Sequence, residues 1–219
     1  MQPIQAETWK KLVRANQAAV ASGWALPGVF GTGIGPDYVP GQAGTLLYVG
    51  KSAGPLGSAV GSTNDLTSSS AASTHWMMSW SNERAFWQFI NPIVPKRRTM
   101  AWSNICKMDQ INPRKPPTDR MWRDVADASI AALRDEIAAL APHITLFVSN
   151  RFGKHKVDAL LAELGYVTEP TALDGLAHVS QTADGRYAIQ TRHPQGWDKA
   201  LRDTVRSFVI NLLNHSPAS

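Results

Sequence analysis

Three consecutive stretches decide the fold: TMAWSN at positions 99–104, WRDVADASIAALRDEIAAL at 122–140 and HITLFVS at 143–149. The first and last are short, nearly continuous apolar runs, as strands covered on both faces require. The middle one sets Val125, Ile130, Leu133, Ile137 and Leu140 on one side of a helix. Pro142 stops that helix, since it lacks an N–H and crowds the preceding turn. Strand, helix, strand is the unit from which layered α/β sheets are built.

Working outward, TLLYV at 45–49 reads as another buried strand ending at Gly50, and 83–90 as a short helix carrying Phe86, Trp87 and Phe89. Residues 154–164 and 198–213 read as helices. The runs 176–180 and 186–191 flank Ala183-Asp184-Gly185, a hairpin signal. At the N-terminus, 6–22 is an amphipathic helix with Trp9, Leu12, Val13 and Ala19 or Val20 inward, ending near Gly23. Dense Gly and Pro over 25–44 predict a surface path. Within it, Gly31-Thr32-Gly33-Ile34-Gly35 follows no strand pattern and is not a phosphate loop. The Gly- and Ser-rich stretch 51–73 is either an ordered functional loop or a flexible low-complexity insertion.

The expectation is one domain over 1–219, a three-layer α/β/α fold with a central, mostly parallel sheet, on which 1–44 packs as an N-terminal helix and surface loop. Ligands of such sheets sit at the strand C-terminal ends. Here those ends are Gly50, Asn104, Ser149 and His193.

Composition narrows the chemistry. The 219 residues are 43% hydrophobic and 18% charged, enough to bury a core. Twenty-two Lys and Arg against 17 Asp and Glu give a net charge of +5, which favours a polyanionic partner. A single cysteine, Cys106, rules out an intramolecular disulfide, a four-cysteine iron–sulfur cluster and a Cys-rich zinc site. No apolar run approaches a membrane span, and residues 1–11 lack the layout of a signal peptide. A cytoplasmic monomer without metal, cofactor or membrane contact is expected.

The strand-end segments read Gly50-Lys51-Ser52-Ala53-Gly54-Pro55, Trp102-Ser103-Asn104-Ile105-Cys106-Lys107, Val148-Ser149-Asn150-Arg151 and Arg192-His193-Pro194-Gln195-Gly196-Trp197. In that order they resemble the uracil-DNA glycosylase superfamily: a Gly-led loop after the first strand, a strand ending in a pyrimidine-reading Asn, and a late His-Pro loop. The likeness runs from about position 45 to 213. It implies hydrolysis of the N-glycosidic bond of a uracil flipped out of DNA, leaving an abasic site.

By that resemblance His193 would stabilise the departing base, Asn104 would select it, and Ser52 would place water. Gly50, Lys51, Ala53 and Gly54 would shape the base pocket, with Gln195, Trp197, Arg192 and Lys107 toward DNA. Three departures stand out. Where the superfamily's first loop has Asp or Asn two residues after the Gly, or Glu directly after it, this chain has Ser52 and Lys51. Gly54 stands where one branch carries a bulky aromatic that blocks the thymine methyl, and Gln195 stands where Ser usually follows His-Pro. Missing the acid, the chain is either a glycosylase sustained by other groups or a weak or inactive relative that binds single-stranded, abasic or damaged DNA.

Each residue also has a plainer reading. Asn104 can cap a loop, Ser52 can be a turn residue, Lys51 a phosphate contact or exposed chain rather than a nucleophile, and His193 a turn residue before Pro194. Trp197 either wedges into the gap left by the flipped nucleotide or begins the last helix and packs inward. For the aromatic that stacks on the base, Leu66 lies nearest the family spacing, with Trp76 and Trp80 farther on. Asp109 and Glu83 are the acidic candidates for orienting water. Basic residues cluster at Lys96-Arg97-Arg98, at Lys107 with Arg114-Lys115, at Arg151 with Lys154 and Lys156, and at Arg192 with Lys199. They form either a phosphate-tracking rim or scattered solvated charges. A nucleotide-binding or hydrolytic α/β enzyme acting on a small molecule is disfavoured, because neither a Walker-type loop nor a Gly-x-Ser-x-Gly elbow occurs.

Overall fold

A computed structural model describes residues 1–52, 64–79, 85–112, 117–149, 152–169, 173 and 175–214. Four strands run parallel at the centre: β2 (Leu46–Gly50), β3 (Met100–Asn104), β4 (Ile144–Val148) and β7 (Tyr187–Thr191), in the order β3-β2-β4-β7. The chain leaves β2 to one side and returns to its other side, so the switch point lies between β2 and β4. The first three strands are buried at every position, which is why their sequences show no alternation.

The sheet is completed by antiparallel edges. β1 (Gly33–Ile34) pairs with β3, while β6 (Ala177–Gln181) pairs with β7 through the expected hairpin and with β5 (Val167–Glu169) on its outer side. The turn is possible because Gly185 takes φ 83°.

Helices cover both faces, giving three layers. One face of Leu46, Tyr48, Met100, Trp102, Leu146 and Ile189 is buried under α2 (Leu66–Ser79), α3 (Ala85–Ile90) and α6 (Lys199–Asn214). The opposite face, with Leu47, Val49, Ala101 and Phe147, packs on α4 (Asp119–Leu140) and α5 (Lys154–Glu163). Helix α1 (Ala6–Ala21) lies against α4 through Trp9, Leu12 and Ala19. Helix α4 begins three residues before the expected start, because the Thr118 hydroxyl accepts the Met121 N–H at 3.2 Å and caps it.

Two readings of the sequence are corrected. Residues 28–33 do not run over the surface: all are buried, and the segment supplies β1. Part of the Gly- and Ser-rich stretch is neither loop nor flexible insertion, because from Leu66 it forms α2 with Ser69, Ser70 and Ser73 inward. The corrections share one cause. The Gly31 N–H donates to Ser69 Oγ at 2.7 Å, and that hydroxyl donates to the Val29 carbonyl at 2.7 Å. A Cβ on Gly31 would stand 2.7 Å from Ser70 Oγ, and one on Gly35 2.3 Å from the Arg98 carbonyl. The glycines are there for close packing. Among the described residues, no helix is long and apolar enough to cross a membrane.

Candidate functional site

The C-terminal ends of β2, β4 and β7 open onto one cleft, with the end of β3 buried beside it. Gly50 is paired with Asn104 across β2 and β3, and the ladder continues beyond the strands: Ile105 N–H donates to Gly50 O and Cys106 N–H to Lys51 O, both at 2.9 Å. On the other side, Ser149 N–H donates to Thr191 O at 3.3 Å. Lys51, Val148, Ser149, Arg192, His193, Gln195, Gly196 and Trp197 line a cleft of about 490 Å³. A neighbouring pocket of about 260 Å³ shares Ser149 and Arg192 with it and adds Lys154, His178 and Gln190.

Asn104 is 1% exposed, and its Nδ2 has no hydrogen-bond partner among the described residues. Leaving such a donor unmet costs about 1–3 kcal/mol. Its Oδ1 fills the space over Gly50, where Phe86 also closes in. The Phe86 ring lies 4.3 Å from that of Tyr48 and, tilted by only 24°, 6.3 Å from that of His193. Tyr48 is held by donating its hydroxyl to the Phe86 carbonyl at 2.9 Å. Sequence reading placed Phe86 on a core helix and missed its part here, because nothing in local spacing links position 86 to Gly50.

His193 opens the short helical turn Pro194–Gly196, and the Gln195 N–H donates to its Nδ1 at 3.2 Å. That bond puts the proton of the neutral ring on Nε2. Burial first, and the Lys51 charge second, lower the imidazole pKa below its ordinary value, so His193 is neutral at pH 7. Lys51 is half-buried with Nζ 4.8 Å from the centre of the Phe152 ring. Burial lowers its pKa, while Asp119 and Cys106 act in the opposite sense. Asp119, at the start of α4, is an acidic neighbour that sequence reading did not single out. Ser52 is half-buried on the same loop; Ala53 and Gly54 lie outside the described residues, as do Trp80, Glu83, Arg114, Lys115, Asn150 and Arg151.

Several expected site residues are placed otherwise than expected. Lys107 cannot touch DNA: it is fully buried, with Nζ donating to both carboxylate oxygens of Glu136 at 2.7 and 2.6 Å and to Ser103 Oγ. Burial pushes its pKa down and Glu136 opposes this. Thr32 and Ser103 hydroxyls donate to the same carboxylate. Trp197 is no exposed wedge; it is 7% exposed and meets Phe89 edge to face at 5.1 Å. Trp76 stacks on Trp102 at 5.8 Å, and Leu66 packs beside the α1 cluster.

The basic rim is also thinner than expected. Lys96, Arg97 and Arg98 precede β3 and so stand at the opposite end of that strand from Asn104. Arg97 is buried, donating to Asn91 Oδ1 at 2.8 Å and Met77 O at 2.5 Å, and Arg98 pairs with Asp37. Lys154, Lys156 and Lys199 pair with Asp158, Asp127 and Asp203. Arg192 and Gln195 are exposed at the cleft mouth. Asp109 is buried close to Cys106, whose thiol is itself pushed up to about 12 by burial and so is no nucleophile. Among the described residues, no acidic side chain lines the cleft and no group of His, Cys, Asp and Glu is placed to hold a metal ion.

No family model and no curated protein matches the chain.

Proposed function

We propose that this protein is a DNA glycosylase that receives an extruded uracil in the strand-end cleft and breaks its N-glycosidic bond. The observation that carries this reading is the buried, unmet Nδ2 donor of Asn104 beside the Phe86 ring and the neutral His193. A side-chain amide offers donors and an acceptor that match uracil O4 and N3–H, and an aromatic face stacks on any base. Uracil is therefore read on its Watson–Crick edge by Asn104 and stacked on Phe86.

Negative charge collects on the base as the bond to the sugar lengthens. The Nε2–H of His193 donates to O2, where that charge develops; a preorganised donor of this kind is worth about 3 kcal/mol. Because Nδ1 of the neutral ring accepts from the Gln195 N–H, the proton sits on Nε2 and the ring gives this hydrogen bond without first taking up a proton. Arg192 and Gln195 at the cleft mouth meet the backbone of the DNA.

Oligonucleotides with a single uracil, single- and double-stranded, test the reading by base release and alkali-induced scission. Release that falls at least 100-fold in Asn104→Ala and in His193→Ala is expected. The lack of an acidic side chain among the described lining residues favours a second reading, a relative that binds DNA without chemistry. A salt-dependent gel shift with no base release would select it.

A further inference from the structure

If the cleft is a glycosylase site, as read above, something must attack C1′ of the sugar. We propose that Lys51 is the attacking group, so that the protein forms a covalent imine with the sugar and is a DNA lyase as well as a glycosylase. Lys51 directly follows Gly50, and its carbonyl is fixed by the Cys106 N–H at 2.9 Å, so its backbone is held at the end of β2. The side chain lines the same cleft as His193 and Arg192. Its ammonium lies over the Phe152 ring, has no ion-pair partner among the described residues, and acts electrostatically on His193.

Partial desolvation is the environment that makes a lysine amine nucleophilic. Burial lowers its pKa accordingly, against Asp119 and Cys106. Asp119, exposed at the start of α4, acts on the ammonium through its charge without pairing with it, and the proton passes to solvent. With no acid among the described lining residues, the amine is the strongest base and nucleophile that the described lining of the cleft offers.

The Nζ lone pair forms the C1′–Nζ bond as the C1′–N1 bond breaks, and that electron pair leaves on the uracil, stabilised by His193. The amine loses a proton, the C1′–O4′ bond opens with O4′ taking one, and the nitrogen lone pair completes C1′=Nζ. Water then hydrolyses the imine to the abasic aldehyde and free Lys51. Alternatively, loss of a C2′ proton expels the 3′-phosphate and cuts the strand.

The test incubates the full chain with uracil-containing oligonucleotide and sodium borohydride, which reduces an imine to a stable secondary amine. A protein–DNA adduct is expected, with peptide mapping placing it on Lys51. In Lys51→Arg, which keeps the charge but cannot form the imine, adduct and base release are both expected to fall at least 100-fold, with melting unchanged. Base release by the wild type without an adduct would overturn the inference and leave the glycosylase reading standing. So would an adduct on another residue, an adduct formed only with preformed abasic DNA, or base release that survives in Lys51→Arg. No base release from any uracil substrate would overturn the glycosylase reading and the inference with it.

Discussion

Asn104 occupies the space that a side chain on Gly50 would need: a Cβ there would stand 2.6 Å from Asn104 Oδ1 and 3.3 Å from the Phe86 ring. The two residues face each other across β2 and β3, so it is the amide side chain that must give way. Gly50→Ala should therefore push the amide out of its buried position and lower base release at least 10-fold. The clash is specific to the pair. In an Asn104→Ala background the same change should destabilise much less, giving a coupling of about 1 kcal/mol in a double-mutant cycle of denaturant unfolding. Additive effects would mean that Gly50 matters for some other reason.

The Lys107–Glu136 pair is fully buried between β3 and α4. Losing one partner strands the other charge away from water, which costs about 3–5 kcal/mol. Lys107→Met and Glu136→Gln should each lower the denaturant midpoint by that measure. Replacing both by apolar residues, Lys107→Met with Glu136→Leu, should recover a large part of the loss. Equal damage in the single and double variants would show that the hydroxyls of Thr32 and Ser103, left without their acceptor, dominate.

Arg192 and Lys107 were alike in the sequence, each basic and each near a strand end, but only Arg192 is exposed. Removing one phosphate contact should reduce the slope of log affinity against log salt by about 0.7–0.9. Fluorescence titrations of Arg192→Ala at several salt concentrations should show that change. An unaltered slope would take Arg192 out of the DNA contact.

These contrasts mark what was legible. The buried strands β2, β3 and β4 announced themselves because continuous apolar runs have few other uses, and they carried Gly50, Asn104 and the strand-end position of His193 with them. Charge and aromaticity did not reveal direction. Lys107 and Trp197 are buried by partners far off in sequence, Glu136 and Phe89, and Phe86 comes beside His193 through tertiary packing alone. Serines and glycines misled for a related reason: composition suggests a loop, whereas small residues on α2 and 28–35 let two backbones approach closely.

That seam gives a stability test away from the cleft. A Cβ on Gly35 would lie 2.3 Å from the Arg98 carbonyl and 2.5 Å from that of Arg97. Both obstacles are backbone, so relief requires moving the chain before β3. Gly35→Ala should cost about 1–3 kcal/mol, the usual range for overpacking. Gly41→Ala makes the comparison sharp: nothing lies within 4 Å of its Cβ, yet φ is 73°, so its cost is conformational strain alone. A clearly larger loss of melting temperature is expected at Gly35.

His193 makes the protein's pH response predictable in sign. Its folded pKa lies below the ordinary value of 6.5, first through burial and then through the Lys51 charge. As pH falls below 6.5 the unfolded chain protonates this histidine before the folded one does. Stability from this group is therefore lost between 6.5 and the folded pKa, and loses nothing further below it. Imidazole titration by NMR, with the His193 resonance identified by its absence in His193→Ala, should give a midpoint below 6.5. Lys51→Gln removes the second cause but leaves the burial, so the midpoint should move up without reaching the ordinary value. A midpoint that does not respond would separate Lys51 from His193 electrostatically and leave burial as the cause of the lowered pKa.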